Sequence, residues 1–82
     1  MSVVSGWYET EGGVDVFDFE GDFETHEDVA AYMYINFAPE CIGVDMEIEG
    51  ELSNGHSIDV MSVTAQLEWL SEELLSEEHP LP

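Results

Sequence analysis

Twenty Asp and Glu side chains, one cysteine and three histidines are the groups in this 82-residue chain that could do chemistry, and no Lys or Arg accompanies them. Carboxylates support four kinds of chemistry: general acid and base work, cation ligation, pairing with basic partners, and solvation. Their spacing separates these. Asp45, Glu47, Glu49 and Glu51 recur every second residue, and in an extended strand that places them on one face at intervals of about 6.6–6.8 Å. Such a row matches the pitch of phosphates along a nucleic-acid strand. Asp59 is expected to join it from a neighbouring strand. Glu68, Glu72, Glu73 and Glu77 fall on a C-terminal helical pattern, and Asp18, Glu20 and Asp22 form a third group.

Catalysis finds little support in these groups. Acid–base pairs need two positioned carboxyls with separated pKa values, and no cation is available to bind a phosphate or to steady an oxyanion. The chain has no GxSxG, P-loop, GxGxxG or HExxH. Cys41 lies next to Glu40, and a negative neighbour weakens a thiol as a nucleophile. A non-enzymatic protein with a packed thiol is expected. Metals fare no better. An EF-hand starting at Asp18 would need Gly at its sixth position and Glu at its twelfth, where Phe23 and Val29 stand. His26, His56 and His79 are too dispersed for a zinc set. No metal or other cofactor is expected.

Pairing with a basic partner is left, and composition favours it. About a quarter of an ordinary domain is charged, so a chain of this length should carry roughly 10 basic residues. Here the charged fraction is the usual 24%, yet the net charge is −20. Self-repulsion on that scale opposes folding, so the charge answers to something other than stability. A compact fold of this length spans roughly 30 Å, which would carry one charge per about 1.5 Å, close to duplex DNA at roughly 1.7 Å. Crowded carboxylates are expected to raise some of their pKa values and to make the fold more stable in added salt.

The elements that must position these groups are readable from periodicity. With 44% hydrophobic residues and nine aromatics, the chain escapes the low-hydrophobicity signature of disorder, and one domain over 1–82 is expected. Residues 3–10 and 14–20 are β-formers around Gly12-Gly13, a hairpin. Thr25 caps a helix whose apolar face is Val29, Tyr32, Met33 and Phe37, and Pro39 stops it. Residues 42–52 alternate apolar with acidic, a strand with one face in water. After Asn54-Gly55, Ile58-Asp59-Val60 resumes the alternation as a fourth strand. A two-residue loop there would set Ile58 opposite Glu51, so the apolar register needs three or five loop residues, or a bulge.

A second helix runs from about Val63 to Glu78, capped by Ser62 or Thr64 and ended by His79-Pro80. Val63, Leu67, Leu70 and Leu74 form its stripe, flanked by Trp69 and Leu75. The expected fold is α+β: a small antiparallel sheet of about four strands, in ββαββα order, packed by two helices. Acids near the C-terminus of that helix oppose its dipole by roughly 0.3–1 kcal/mol each, and Glu68 with Glu72 is an unfavourable i,i+4 pair.

The small size, folded composition and uniform acidic charge resemble the phage and mobile-element proteins that imitate DNA, of the anti-CRISPR and anti-restriction kind. The resemblance implies a stoichiometric inhibitor that blocks the basic DNA- or RNA-binding site of a CRISPR effector, a restriction or repair enzyme or another host protein. It would act in the cytoplasm, the host's if phage-encoded, without touching nucleic acid or membrane itself. Three readings stand beside it: an immunity protein or antitoxin for a basic nuclease, a halophilic acidic protein, and an adaptor docking on a basic protein unrelated to DNA. Aromatic or Met side chains near the acidic face would add the specificity that charge lacks.

Overall fold

The computed structural model describes the backbone of residues 1–78 and the side-chain surroundings of residues 1–73. Strand β1 (Ser2–Thr10) turns through Glu11-Gly12 into β2 (Gly13–Gly21), followed by helix α1 (His26–Phe37), strand β3 (Met46–Gly50) and helix α2 (Val60–Glu78). The sheet is antiparallel with order β2-β1-β3, so the first strand occupies its centre. The α+β class and the two helices match expectation; four strands do not.

The fourth strand is reduced to one bridge between Glu51 and Ser57, because Val60 already belongs to α2. The register argument nonetheless holds at the turn. Leu52 N–H donates to the His56 carbonyl at 2.7 Å and Ile58 N–H to that of Gly50 at 3.1 Å. Residues 53–55 therefore make a three-residue loop, and Ile58 stays on the buried side. The long strand expected over 42–52 is also shorter. Ile42 and Val44 lie in the turn region before Met46, half-buried against the core.

Parity decides which face of the sheet is covered. Val4 and Tyr8 of β1, Phe17 and Phe19 of β2, and Met46 and Ile48 of β3 point to the helices. Beneath them lie Val29, Ala30 and Met33 of α1 and Val63 and Leu67 of α2, all at most 1% exposed. Aromatic rings fill the layer between: Phe19 and Tyr32 stack at a centroid separation of 4.3 Å, and Phe17 and Phe37 approach to 5.8 Å. Gly6 is required where this layer is tightest. A Cβ there would overlap the Glu47 carbonyl oxygen and come within 2.9 Å of Phe17 Cζ. Gly50, at φ +143°, likewise leaves no room for a side chain against the Val3 carbonyl.

Both helix starts are capped by side chains. Thr25 accepts from Asp28 N–H at 3.2 Å while Asp28 accepts from Thr25 N–H at 3.2 Å, a reciprocal capping box. For α2 the cap is Asp59, not Ser62 or Thr64: its carboxylate accepts from Ser62 N–H at 3.3 Å and from Ser62 Oγ–H at 2.7 Å. Asp59 N–H in turn donates to His26 Nε2 at 2.9 Å, which ties the starts of the two helices together. The stop expected at His79-Pro80, and the side chains of Leu74, Leu75 and Glu77, lie outside the described residues.

The molecule measures 46 × 31 × 18 Å. It is longer than the 30 Å estimated from chain length, so twenty carboxylates along it amount to one per about 2.3 Å. That is sparser than duplex DNA. The case for an acidic recognition surface therefore rests on where the carboxylates sit.

Candidate partner-binding surface

The sheet has helices on one side only, and its other side is open. Central strand β1 sets the arrangement. Ser5 pairs with Asp18 of β2 on one flank and Glu49 of β3 on the other; Trp7 pairs with Val16 and Glu47; Val3 pairs with Glu20. Asp18, Glu20, Glu47 and Glu49 are all exposed. Carboxylates on β2 thus face those on β3 across one intervening strand, with backbones about 9.5 Å apart, twice the strand spacing.

The row read from the sequence is real in its alternation. Asp45, Glu47, Glu49 and Glu51 are exposed while Met46, Ile48 and Leu52 are buried. Only Glu47 and Glu49 lie within β3. Asp45 precedes it, held by Glu9 N–H donating to its carbonyl at 2.9 Å, and Glu51 follows it in the Ser57 bridge. Asp59 does not join the row, since it is spent capping α2. Its carboxyl is held below the ordinary value, chiefly by the Ser62 hydroxyl and then by backbone N–H groups of Met61 and Ser62. Local hydrogen bonds therefore shift it the opposite way from the rise expected of crowded carboxylates.

The other expected residues scatter. Asp22 stands beyond the end of β2, 84% exposed, with its Oδ1 3.8 Å from the N-terminal ammonium. Glu68, Glu72 and Glu73 are exposed on α2, in the helix layer. Glu68 borders a groove with Asp45, Val44, Met61 and Thr64, so it alone of these approaches the β3 row. The twelve residues singled out from the sequence thus do not make one face. Six of them, Asp18, Glu20, Asp45, Glu47, Glu49 and Glu51, belong to the open side of the sheet.

Sequence reasoning missed the middle of that side. Val3 is 59% exposed, Val14 56% and Val16 82%, and the half-buried Trp7 lies beside Val16. The Trp7 indole N–H donates to Glu47 Oε2 at 3.0 Å, so an acid of the row fixes the one aromatic of the stripe. A signal was present. In 14–20 the apolar residues Val16 and Phe17 are adjacent, so alternation forces one outward, and the larger ring takes the core.

Two further chemistry-bearing side chains, Cys41 and Tyr8, are buried. Cys41 is 1% exposed, and burial, with Glu40 adding to it, pushes its thiol up to about 11. Its Sγ lies 3.8 Å from the Met33 carbonyl. A thiol so held packs in the core and is little ionised near neutral pH. Between the hairpin tip and residues 40–44 lies a cleft of about 630 Å³ bordered by Glu9, Glu11, Asp15 and Glu40. Burial, with Asp15 and Glu40 nearby, raises the pKa of Tyr8 beside it. Among the described residues no group of His, Cys, Asp and Glu is arranged to hold a metal ion, and no helix is long and apolar enough to cross a membrane. No protein-family model, curated protein or solved structure matches the chain.

Proposed function

We propose that this protein is a nucleic-acid-mimicking inhibitor that occupies the basic DNA- or RNA-binding site of a host defence or DNA-processing protein, such as a CRISPR effector or a restriction or repair enzyme. The observation that carries the reading is the open sheet side, where exposed carboxylates from two outer strands stand in rows at phosphate-like pitch, in a chain without a single Lys or Arg. It acts by occupancy and has no catalytic step. The carboxylates meet the partner's Lys and Arg side chains, and the chain's overall field speeds the encounter. Nucleic acid and anionic membranes, being negative, are repelled. In this reading the protein works in the cytoplasm, that of the host if a phage encodes it.

The test is capture on the immobilised protein from a lysate, elution in a salt gradient, and challenge of each captured protein with duplex or single-stranded DNA. A DNA- or RNA-binding protein released by nucleic acid is the expected result. Retention only of proteins indifferent to nucleic acid would overturn mimicry and favour an adaptor. Capture solely of a nuclease encoded beside this chain would make it that nuclease's immunity protein.

A further inference from the structure

The open sheet side carries more apolar surface than a solvated acidic face needs. Val3, Val14 and Val16 are each more than half exposed: Val16 lies directly across from Trp7, Val14 is two residues from Val16 on the same side of β2, and Val3 stands on the same side of the central strand with Ser5 between it and Trp7. Exposed apolar stripes rimmed by polar groups mark interaction sites. Here the rim is wholly anionic: Asp18 and Glu20 on one flank, Glu47, Glu49 and Glu51 on the other.

Charge complementarity selects the occupant. A second copy of the chain would bring the same carboxylates to the same rim, and like charges brought together cost several kcal/mol. What fits is a surface cationic at its edges and apolar or aromatic between them. Duplex DNA keeps its base faces stacked inside, so a duplex-binding groove has little use for such a centre. Grooves that bind single strands interleave basic side chains along the backbone with aromatic ones on which bases stack.

Resting on the mimicry proposed above, we infer that this side docks in a groove of the single-strand-binding type. Trp7 and Val16 take the place of a base on the partner's aromatic platform, and Glu47, Glu49 and Glu51 take the places of successive phosphates. Trp7 is then the specificity-determining residue. Its hydrogen bond to Glu47 fixes the indole relative to the acidic row before the partner arrives, so little freedom is lost on docking.

Two synthetic peptides with equal numbers of Lys residues, one interleaved with Phe and one with Gly, serve as probes. The chain has two Trp residues, and Trp69 is 55% exposed on α2, so a W69F background leaves Trp7 as the only indole reporter. The Phe peptide is expected to bind about tenfold more tightly than the Gly peptide and to shift Trp7 emission to the blue. Val16→Thr, at a position too exposed to matter to the core, should remove most of that advantage and leave the salt dependence unchanged. Trp7→Ala should abolish it. Equal binding of the two peptides, or tight Phe-peptide binding with Trp7 emission unmoved, would overturn the inference and leave charge mimicry standing. Failure of both peptides to bind at low salt would overturn the acidic recognition surface itself.

Discussion

Removing the same number of carboxylates from one side of the molecule or from elsewhere separates a recognition surface from bulk charge. The face variant is D18N/E20Q/E49Q/E51Q, with Glu47 kept because it holds the Trp7 indole. The control is E24Q/E27Q/E72Q/E73Q, four exposed positions on the helices or just before α1, with Glu68 left in place because it borders a groove with Asp45. Each removes four of the twenty carboxylates. Exposed ion pairs contribute about 0.2–1 kcal/mol apiece, so the face variant should lose about 1–4 kcal/mol toward the captured partner. At about 1.4 kcal/mol per tenfold, that is a weakening of about 4-fold to several-hundred-fold. The loss should lie mainly in the association rate and shrink as salt screens it over about 8 Å. Surface plasmon resonance across an ionic-strength series reads both. The control should keep most of the affinity, since its charges act only through the distant field. Equal losses in the two variants would refute a defined face, and undiminished binding by the face variant would refute the role of these carboxylates altogether.

The remaining expectations concern the scaffold. Gly6→Ala forces a Cβ into the Glu47 carbonyl and should cost about 1–3 kcal/mol as an overpacked contact, out of a total of about 4–12 kcal/mol for a chain this long; an unchanged urea midpoint would show that β1 and β3 are not so closely apposed. Asp59→Ala removes the α2 cap and should lower the melting temperature at neutral pH. Because the folded-state pKa of Asp59 is depressed, its contribution is present above the ordinary carboxylate range near 3.9 and is lost as pH falls through the folded value, so the gap between variant and parent should close in strong acid. A gap independent of pH would assign the effect to something other than the carboxylate. Melting temperature should rise from low to moderate salt as repulsion is screened, and calorimetry showing a flat or falling trend would remove net repulsion as a term in this fold.

Local signals carried most of what could be read in advance. The alternation of Met46, Glu47, Ile48 and Glu49 and the capping pattern at Thr25 and Asp28 are decided within a few residues, and both are present. The fourth strand failed because Ile58-Asp59-Val60 fits two templates. Read forward, it continues an alternation; read from the helix, Asp59 is an N-cap with Val60 first inside. Asp59's bonds to Ser62 and the His26 link between helices favour the second, and neither is a period-two signal. The acidic surface was legible in composition but not in layout. Placing Asp18 opposite Glu49 depends on β1 lying between two strands that are distant in sequence, and no local pattern encodes that order.

That order also explains why the charge is tolerated on an exposed sheet. The edge strand β2 runs nine residues with neither Pro nor Lys, and its Val14 and Val16 lie uncovered with Val3 and Trp7 of β1. In a neutral protein, such an edge and face would invite pairing with further copies. Here each copy would meet carboxylates on both flanks, so the charge that opposes folding also opposes self-association. A cationic partner reverses the sign of that barrier. In the proposed function, the same residues that oppose another copy draw in a Lys- and Arg-lined groove, and the apolar centre is then available to a surface that can neutralise the rim.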